Sequence, residues 1–371
     1  MNKIYKILLI IFILFPTILL SQTNIKIYFD NQQDSVFYLY KYRGSKTAVV
    51  DSAYIDKGLI QFKSKSKFPE GIYILTNEKD FPLTEILIGK DQRFSFIIND
   101  LDYSNPIKVR GSKETENYVK MMEKYGQDVV DLNSFKVKRE DAFINLVINS
   151  MQKHDFEHYW DGFALNDKRI ITYPLIDNKL EFYFNHLPID AAIINDEIDK
   201  LIAKTGDRDD VRDYLIWYFY KKYYSSDYMN LDDIYIHLVD DYFLKYDMDN
   251  ISKRILEMMS DRADYLKNLK IGVRIPEIGN LYSIDSEYVI VFFYDKTCSR
   301  CTKEGKVLEE IQTRHPGMAI FPVEINSTEI ENLLFLYDIQ TTPTIYVLDK
   351  QKKIIAKRIK VEDVERFLNN Y

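Results

Sequence analysis

Apolar residues follow three successive patterns along the chain. From Asn24 to about Gly111 they alternate: Ile25, Ile27 and Phe29; Val36, Tyr38 and Tyr40; Ile60 and Phe62; Phe94, Phe96 and Ile98. A period of two predicts half-buried strands. Turn signals at Asp30-Asn31, Gly44-Ser45, Asp56-Lys57-Gly58 and Gly89-Lys90-Asp91 separate them. About eight short strands at this spacing predict a β-sandwich over 23–112. Gly111-Ser112, followed by Glu114 and Glu116, predicts the first helix.

The period then becomes helical and stays so to about Lys270. Phe143, Val147 and Met151 share one face, as do Leu180, Phe184 and Leu187, and Ile194, Ile198, Leu201 and Ile202. Further helices are expected over 214–224, 234–246 and 251–266, so 113–270 reads as a helical region. Their aromatic stripes read as packing surface rather than as a ligand pocket. The last hundred residues alternate: strand 288–294, helix 301–314, strand 319–325, helix 329–337, strands 344–348 and 353–358, helix 361–369. That order predicts a compact α/β domain with a mixed sheet over 271–371. The chain as a whole is expected to be multidomain α+β.

Composition narrows the function. The chain has 371 residues, 46% hydrophobic, enough for several cores. Its formal charge of −7 argues against nucleic acid, which needs a basic excess. Lys352, Lys353 and Lys357 read as solvated surface on the last strand. Residues 1–22 read as a secretory signal, with Lys3 and Lys6 ahead of the apolar run Ile7 to Leu20. Pro16 interrupts that run, which is short for a span, although a retained anchor is the alternative. The mature protein is therefore expected in the periplasm or cell envelope, with no stable membrane span, where disulfides persist.

The chain holds two cysteines, and they stand together as Cys298-Ser299-Arg300-Cys301 after the strand 288–294. A structural staple over so short a loop contributes only about 2 kcal/mol. On the first turn of a helix the first thiol faces the positive end of the helix dipole, which favours the reactive thiolate. Arg300 adds a positive charge beside the pair. This placement predicts a dithiol that exchanges with another protein. Cys298, at the exposed helix start, is the expected nucleophile, and Cys301 the residue that resolves the mixed disulfide.

The segment Phe292-Phe293-Tyr294-Asp295-Lys296-Thr297-Cys298-Ser299-Arg300-Cys301, with the later Thr342-Pro343-Thr344-Ile345-Tyr346-Val347-Leu348-Asp349, resembles a thioredoxin-fold domain. The resemblance implies that Pro343 is cis and faces the dithiol. Such a turn leaves the backbone of Thr342 free to pair with an extended client. Glu304 stands where the TlpA/ResA-like exported thiol-disulfide oxidoreductases have a glutamate. It reads either as a proton carrier or as a surface helix residue. Thr297 replaces the family's usual tryptophan, Phe292 replaces the buried acid of thioredoxin, and the insertion common after the first helix is missing. Upstream, Val49-Val50-Asp51-Ser52-Ala53, Gly58 and Ile107-Lys108-Val109-Arg110-Gly111-Ser112 resemble the β domain of unknown function that precedes thioredoxin-like domains in exported Bacteroidota proteins. Pro174 to Leu180 and Tyr235-Ile236-His237-Leu238 resemble the helical region that follows it.

Rival chemistries are weaker. His154-Asp155-Phe156-Glu157-His158 fits the string H-x-x-E-H, which needs both histidines on one helix face to bind zinc. A zinc site at the dithiol lacks ligands, since His315 lies at the far end of the helix. A peroxiredoxin needs proline and threonine where Val291 and Asp295 stand. The expectation is an exported thiol-disulfide oxidoreductase with catalytic Cys298, Cys301 and Glu304 and substrate-binding Thr342 and Pro343. It needs no metal or organic cofactor. Its partners are protein dithiol or disulfide clients and an envelope electron donor or acceptor. The alternative is a non-catalytic envelope adaptor with a vestigial dithiol.

Overall fold

The computed structural model describes residues 21–29, 36–77, 81–99, 102–125, 130–225, 229, 231–248, 251–325 and 330–371. Residues 1–20 of the expected signal, the turn Asp30-Asn31 and Glu329 lie outside them. The chain divides into two compact units, Met1–Asn185 and His186–Tyr371. The helical stretch expected over 113–270 is shared between them. No helix among the described residues is long and apolar enough to cross a membrane.

In the first unit, strands β1 (Thr23–Phe29), β2 (Val36–Arg43), β3 (Lys46–Tyr54), β4 (Leu59–Ser64), β5 (Gly71–Asn77), β6 (Pro82–Ile88), β7 (Arg93–Asn99) and β8 (Asp102–Arg110) form two sheets. Their orders are β4-β1-β7-β8 and β3-β2-β5-β6. Ile25, Ile27, Phe62 and Phe96 from one sheet and Phe37, Leu39, Leu75 and Ile86 from the other share a core. Along β2 the expected period holds, but its buried phase is Phe37 and Leu39, while Val36, Tyr38 and Tyr40 stay half-exposed. A strand's two faces differ by one residue, and in an aromatic-rich strand both phases look apolar. Helices α1 (Lys113–Lys124), α2 (Phe143–Met151) and α3 (Leu175–Asn185) complete the unit. Ser112 caps α1 by accepting the Thr115 N–H at 3.3 Å.

The second unit begins with α4 (Ala191–Ala203), α5 (Asp209–Tyr223), α6 (Asp232–His237), which runs on into a π-helical turn, and α7 (Lys253–Lys267). There follow β9 (Tyr288–Tyr294), α8 (Ser299–Arg314), β10 (Met318–Glu324), α9 (Ile330–Leu336), β11 (Thr344–Asp349), β12 (Ile354–Lys357) and α10 (Val361–Asn370). The sheet order is β10-β9-β11-β12, with β10 parallel to β9 and β11 antiparallel to both β9 and β12. Because helices cover both faces, β9 is an unbroken apolar run. Val289, Val291 and Phe293 enter one core with Leu269 and Tyr337; Ile290 and Phe292 enter the other with Cys301, Leu308 and Val364.

The lysines expected at the surface need correcting. Lys352 is 3% and Lys357 1% exposed, and of the three only Lys353 is solvated. Each buried ammonium has partners supplied from elsewhere in the unit. Lys352 donates to the Ile284 carbonyl at 2.8 Å. Lys357 donates to the Leu269 carbonyl at 2.7 Å and pairs with Asp232. Residues 232–269 bring the Lys357 partners to the strand and residue 284 brings that of Lys352, so positions that looked open in sequence are enclosed.

Candidate functional site

The dithiol sits where β9 turns into α8. Asp295 shapes this turn: its carboxylate accepts the Thr297 N–H at 2.6 Å and the Thr297 hydroxyl at 2.7 Å. Its carbonyl accepts the Cys298 N–H at 3.1 Å. Asp-x-Thr is a local turn signature that needs no tertiary help. Thr297 thus uses both its N–H and its hydroxyl on the turn. Cys298 is the N-cap residue of α8, and its sulfur accepts the Cys301 N–H at 3.1 Å. A sulfur in place of the usual oxygen cap sees the unpaired amides of the helix start directly.

The two thiols therefore differ. Cys298 is half-buried and Cys301 only 2% exposed. Hydrogen bonding from the Cys301 thiol, then from the Cys301 and Arg300 amides, lowers the Cys298 pKa. Burial raises that of Cys301, and so does its bond to Cys298. Behind the pair the sheet is apolar. Phe292 stacks on Tyr294 with ring centroids 5.8 Å apart and faces Pro322 across the β9–β10 pairing. Proline is tolerated there because β10 is an edge strand.

The Arg300 guanidinium does not act as a free charge beside the thiols. Its Nε donates to Glu304 Oε1 at 2.6 Å on the exposed side of α8, one turn further on. Cys298 receives a backbone N–H from Arg300, and the guanidinium, while paired with Glu304, also acts on it as a charge. Glu304 is the more enclosed partner, its side chain 13% exposed against 67% for Arg300.

Opposite the dithiol, the Thr342–Pro343 peptide is cis, and the Thr342 carbonyl accepts the Cys298 thiol at 3.8 Å. Thr344 begins β11 and closes this loop by donating to the Thr341 carbonyl at 2.6 Å. A groove of about 670 Å³ runs beside it, lined by Arg300, Glu304, Pro343, Met229, Ile359 and Phe367 among others. The fold thus brings Cys298, Cys301 and Thr342 together and sets Glu304 and Pro343 on one groove.

The other candidate motif has a different geometry. Residues 152–160 are loop and turns, so His154 and His158 share no helix face. His158 Nδ1 lies 3.1 Å from Asp161. No group of three or more His, Cys, Asp or Glu able to hold a metal occurs among the described residues. Sequence reasoning missed Arg262, Asp338, Gln340 and Arg358, a polar network next to the cis-proline loop in which Arg262 and Asp338 are buried, Arg358 is half-buried and Gln340 is exposed. Arg262 and Arg358 stand 76 and 20 residues from Asp338, and no local motif announces such pairs.

Two family models match parts of the chain: the domain of unknown function DUF4369 over residues 22–118, and the F plasmid transfer operon protein TraF over residues 277–357. No curated protein matches. Among solved structures, a thioredoxin-like protein from Bacteroides caccae is 18% identical, with 61% of this chain and 94% of that one covered and a TM-score of 0.46. A domain of a possible thiol-disulfide isomerase from Cytophaga hutchinsonii is 33% identical, with 24% of this chain and 79% of that one covered and a TM-score of 0.21. The thioredoxin domain of a thiol-disulfide oxidoreductase from Bacteroides vulgatus is 22% identical over 28% of this chain and 97% of that one, with a TM-score of 0.25.

Proposed function

We propose that this chain, which belongs to the thioredoxin-like proteins and carries a DUF4369 region ahead of its redox domain, exchanges disulfides with protein clients in the periplasm or cell envelope. The observation that carries this reading is the unequal pair at the helix start. Cys298 is accessible, with its pKa lowered by donors at the N-terminus of α8, and Cys301 is buried one turn behind it with its pKa raised. This is the asymmetry an exchange reaction uses.

The Cys298 thiolate attacks one sulfur of a client disulfide. A new S–S bond forms, the client S–S bond breaks, and the departing client thiolate takes up a proton. Cys301 then loses its proton and attacks Cys298 Sγ, releasing the second client thiol. The dithiol ends oxidised by two electrons and the client reduced by two; an envelope dithiol or disulfide partner resets the pair by the same steps. The cis-proline loop beside Cys298 offers the Thr342 backbone to an extended client strand. Glu304, paired with Arg300, either passes protons to the groove or holds Arg300 away from the thiols. The two sheets of the first unit fit a sandwich reading of the DUF4369 region, and residues 1–22 fit an export signal.

The test is reduction of insulin by the purified protein with dithiothreitol as the electron source. Wild type is expected to accelerate it and Cys298→Ser to abolish the acceleration. Equal rates for the two would remove the exchange reading and leave the binding adaptor.

A further inference from the structure

Two carboxylates, Asp232 and Asp338, are buried where residues 186–270 meet the loops around the dithiol. Asp338 accepts from Arg262 Nε at 2.8 Å and Nη2 at 3.2 Å, from Arg358 Nη1 at 3.3 Å and from Gln340 Nε2 at 2.8 Å. Asp232, at the start of α6, pairs with both Lys357 and Arg358. Arg262, on α7, also donates to the Tyr224 carbonyl at 2.9 Å and lies over the rings of Tyr224 and Tyr235 at 4.2 and 4.5 Å. Three cations thus face two carboxylates, and the buried Arg262 Nη1 and Arg358 Nε find no acceptor. Apolar packing of similar volume holds a helix to a sheet at least as well, so stability alone is a poor reason for this arrangement.

Its location gives a better one. Asp338 and Gln340 lie just ahead of Thr342 on the same loop. Arg358 lines the same groove, and its backbone N–H donates to the Ile345 carbonyl at 2.7 Å, just beyond Pro343. Asp338 and Arg358 both hold left-handed backbone, at φ of +46° and +54°. Residues with side chains persist there only when their surroundings dictate it. The network therefore holds the cis-proline loop from both sides in sequence, at 338–340 and at 345.

We propose that residues 186–270 are a working part of the redox site. Arg262, acting through Asp338 and Gln340, positions the Thr342 carbonyl opposite Cys298, and Asp232, acting through Arg358, positions Ile345 on the other side of Pro343. Both are positioning residues rather than reacting ones. The inference rests on the exchange reading above.

The test uses the full chain with Arg262→Met, which removes the charge, and Arg262→Lys, which keeps it but loses the two-pronged bond to Asp338. Three quantities are measured: kcat/KM for insulin, the alkylation rate of Cys298 by iodoacetamide, and amide hydrogen exchange over 339–345 and over β9. In Arg262→Met, turnover falls about tenfold, as for a misplaced binding element. Alkylation changes far less than turnover, because the helix start still acts on Cys298, and exchange quickens over 339–345 but not over β9; Arg262→Lys falls between. If Arg262→Met does not fold, Gln340→Ala cuts the same link from the loop side and shifts turnover and loop exchange in the same direction. Unchanged turnover, or losses of alkylation and β9 protection that parallel it, would overturn the proposal. A wild type without turnover sinks the exchange reading instead. Loop exchange then decides the positioning role alone: faster upholds it, unchanged removes it.

Discussion

Cys298 and Cys301 differ by three positions in sequence and by their whole environment in space. Because thiolate is the alkylated form and the Cys298 pKa is lowered, its alkylation should reach half its maximum below the ordinary thiol value of about 8.5. Cys301, whose pKa is raised, should react only above that value in Cys298→Ser. A pH series of iodoacetamide labelling, read by mass spectrometry, checks both. Coincident curves would mean that the helix start does not separate the thiols. The Arg300–Glu304 pair gives a second, signed expectation. Replacing Glu304 with glutamine leaves the Arg300 guanidinium unneutralised near the helix start, so labelling of Cys298 should move to lower pH. If Glu304 also carries protons, turnover in the same variant should drop despite the larger thiolate fraction.

Among the elements, the junction between β8 and α1 depends on one residue. Gly111 has φ of +97°, and a Cβ there would lie 2.6 Å from the Arg93 carbonyl oxygen. Both the left-handed backbone and the fixed backbone oxygen oppose a side chain. Gly111→Ala should destabilise the first unit by about 1–3 kcal/mol, read from the midpoint of urea unfolding. Ser112→Ala, next to it, removes only the cap on the Thr115 N–H and should cost about 1 kcal/mol. A Gly111→Ala midpoint no lower than that of Ser112→Ala would contradict the clash. The redox helix depends on different means: the Asp295 carboxylate and Thr297 set its entry angle.

For the whole molecule, the buried charges make the second unit one body from His186 to Tyr371. A fragment cut at the motif-based boundary, 271–371, loses Asp232, Arg262 and the Leu269 carbonyl. It takes Arg262 from Asp338 and Asp232 from Lys357, and it uncovers the apolar core that Leu269 closes. The fragment 186–371 should therefore fold with native near-ultraviolet circular dichroism, and 271–371 should not. A well-folded 271–371 would show the network dispensable. The same network sets an acid limit. Burial alone would raise the Asp338 pKa, but the bond and charge of Arg262, with Arg358, outweigh it and hold the pKa below the ordinary value. A group so depressed contributes stability above its unfolded value of about 3.9 and loses it as pH falls through the folded one. Unfolding of the second unit with acid should therefore begin below about pH 4 and shift to higher pH in Arg262→Met.

The sequence by itself determined what short range decides. Strand and helix periods, the punctuating glycines, the paired cysteines after an apolar strand and the Thr-Pro-Thr opening of β11 are all carried by neighbours within a few residues, where hydrogen-bond geometry and side-chain direction act. Tertiary structure decided which face of β2 is buried, that Lys352 and Lys357 are enclosed, and that the Arg300 charge goes to Glu304. It also decided that helices from before residue 270 belong with the redox sheet. The reason is common to these cases. Each depends on an acceptor, carboxylate or packing partner supplied from the other side of a fold, as Arg262 and Asp338 meet across 76 residues and Asp232 and Arg358 across 126. A charged residue at such a site looks like surface until the group that neutralises it has been brought alongside.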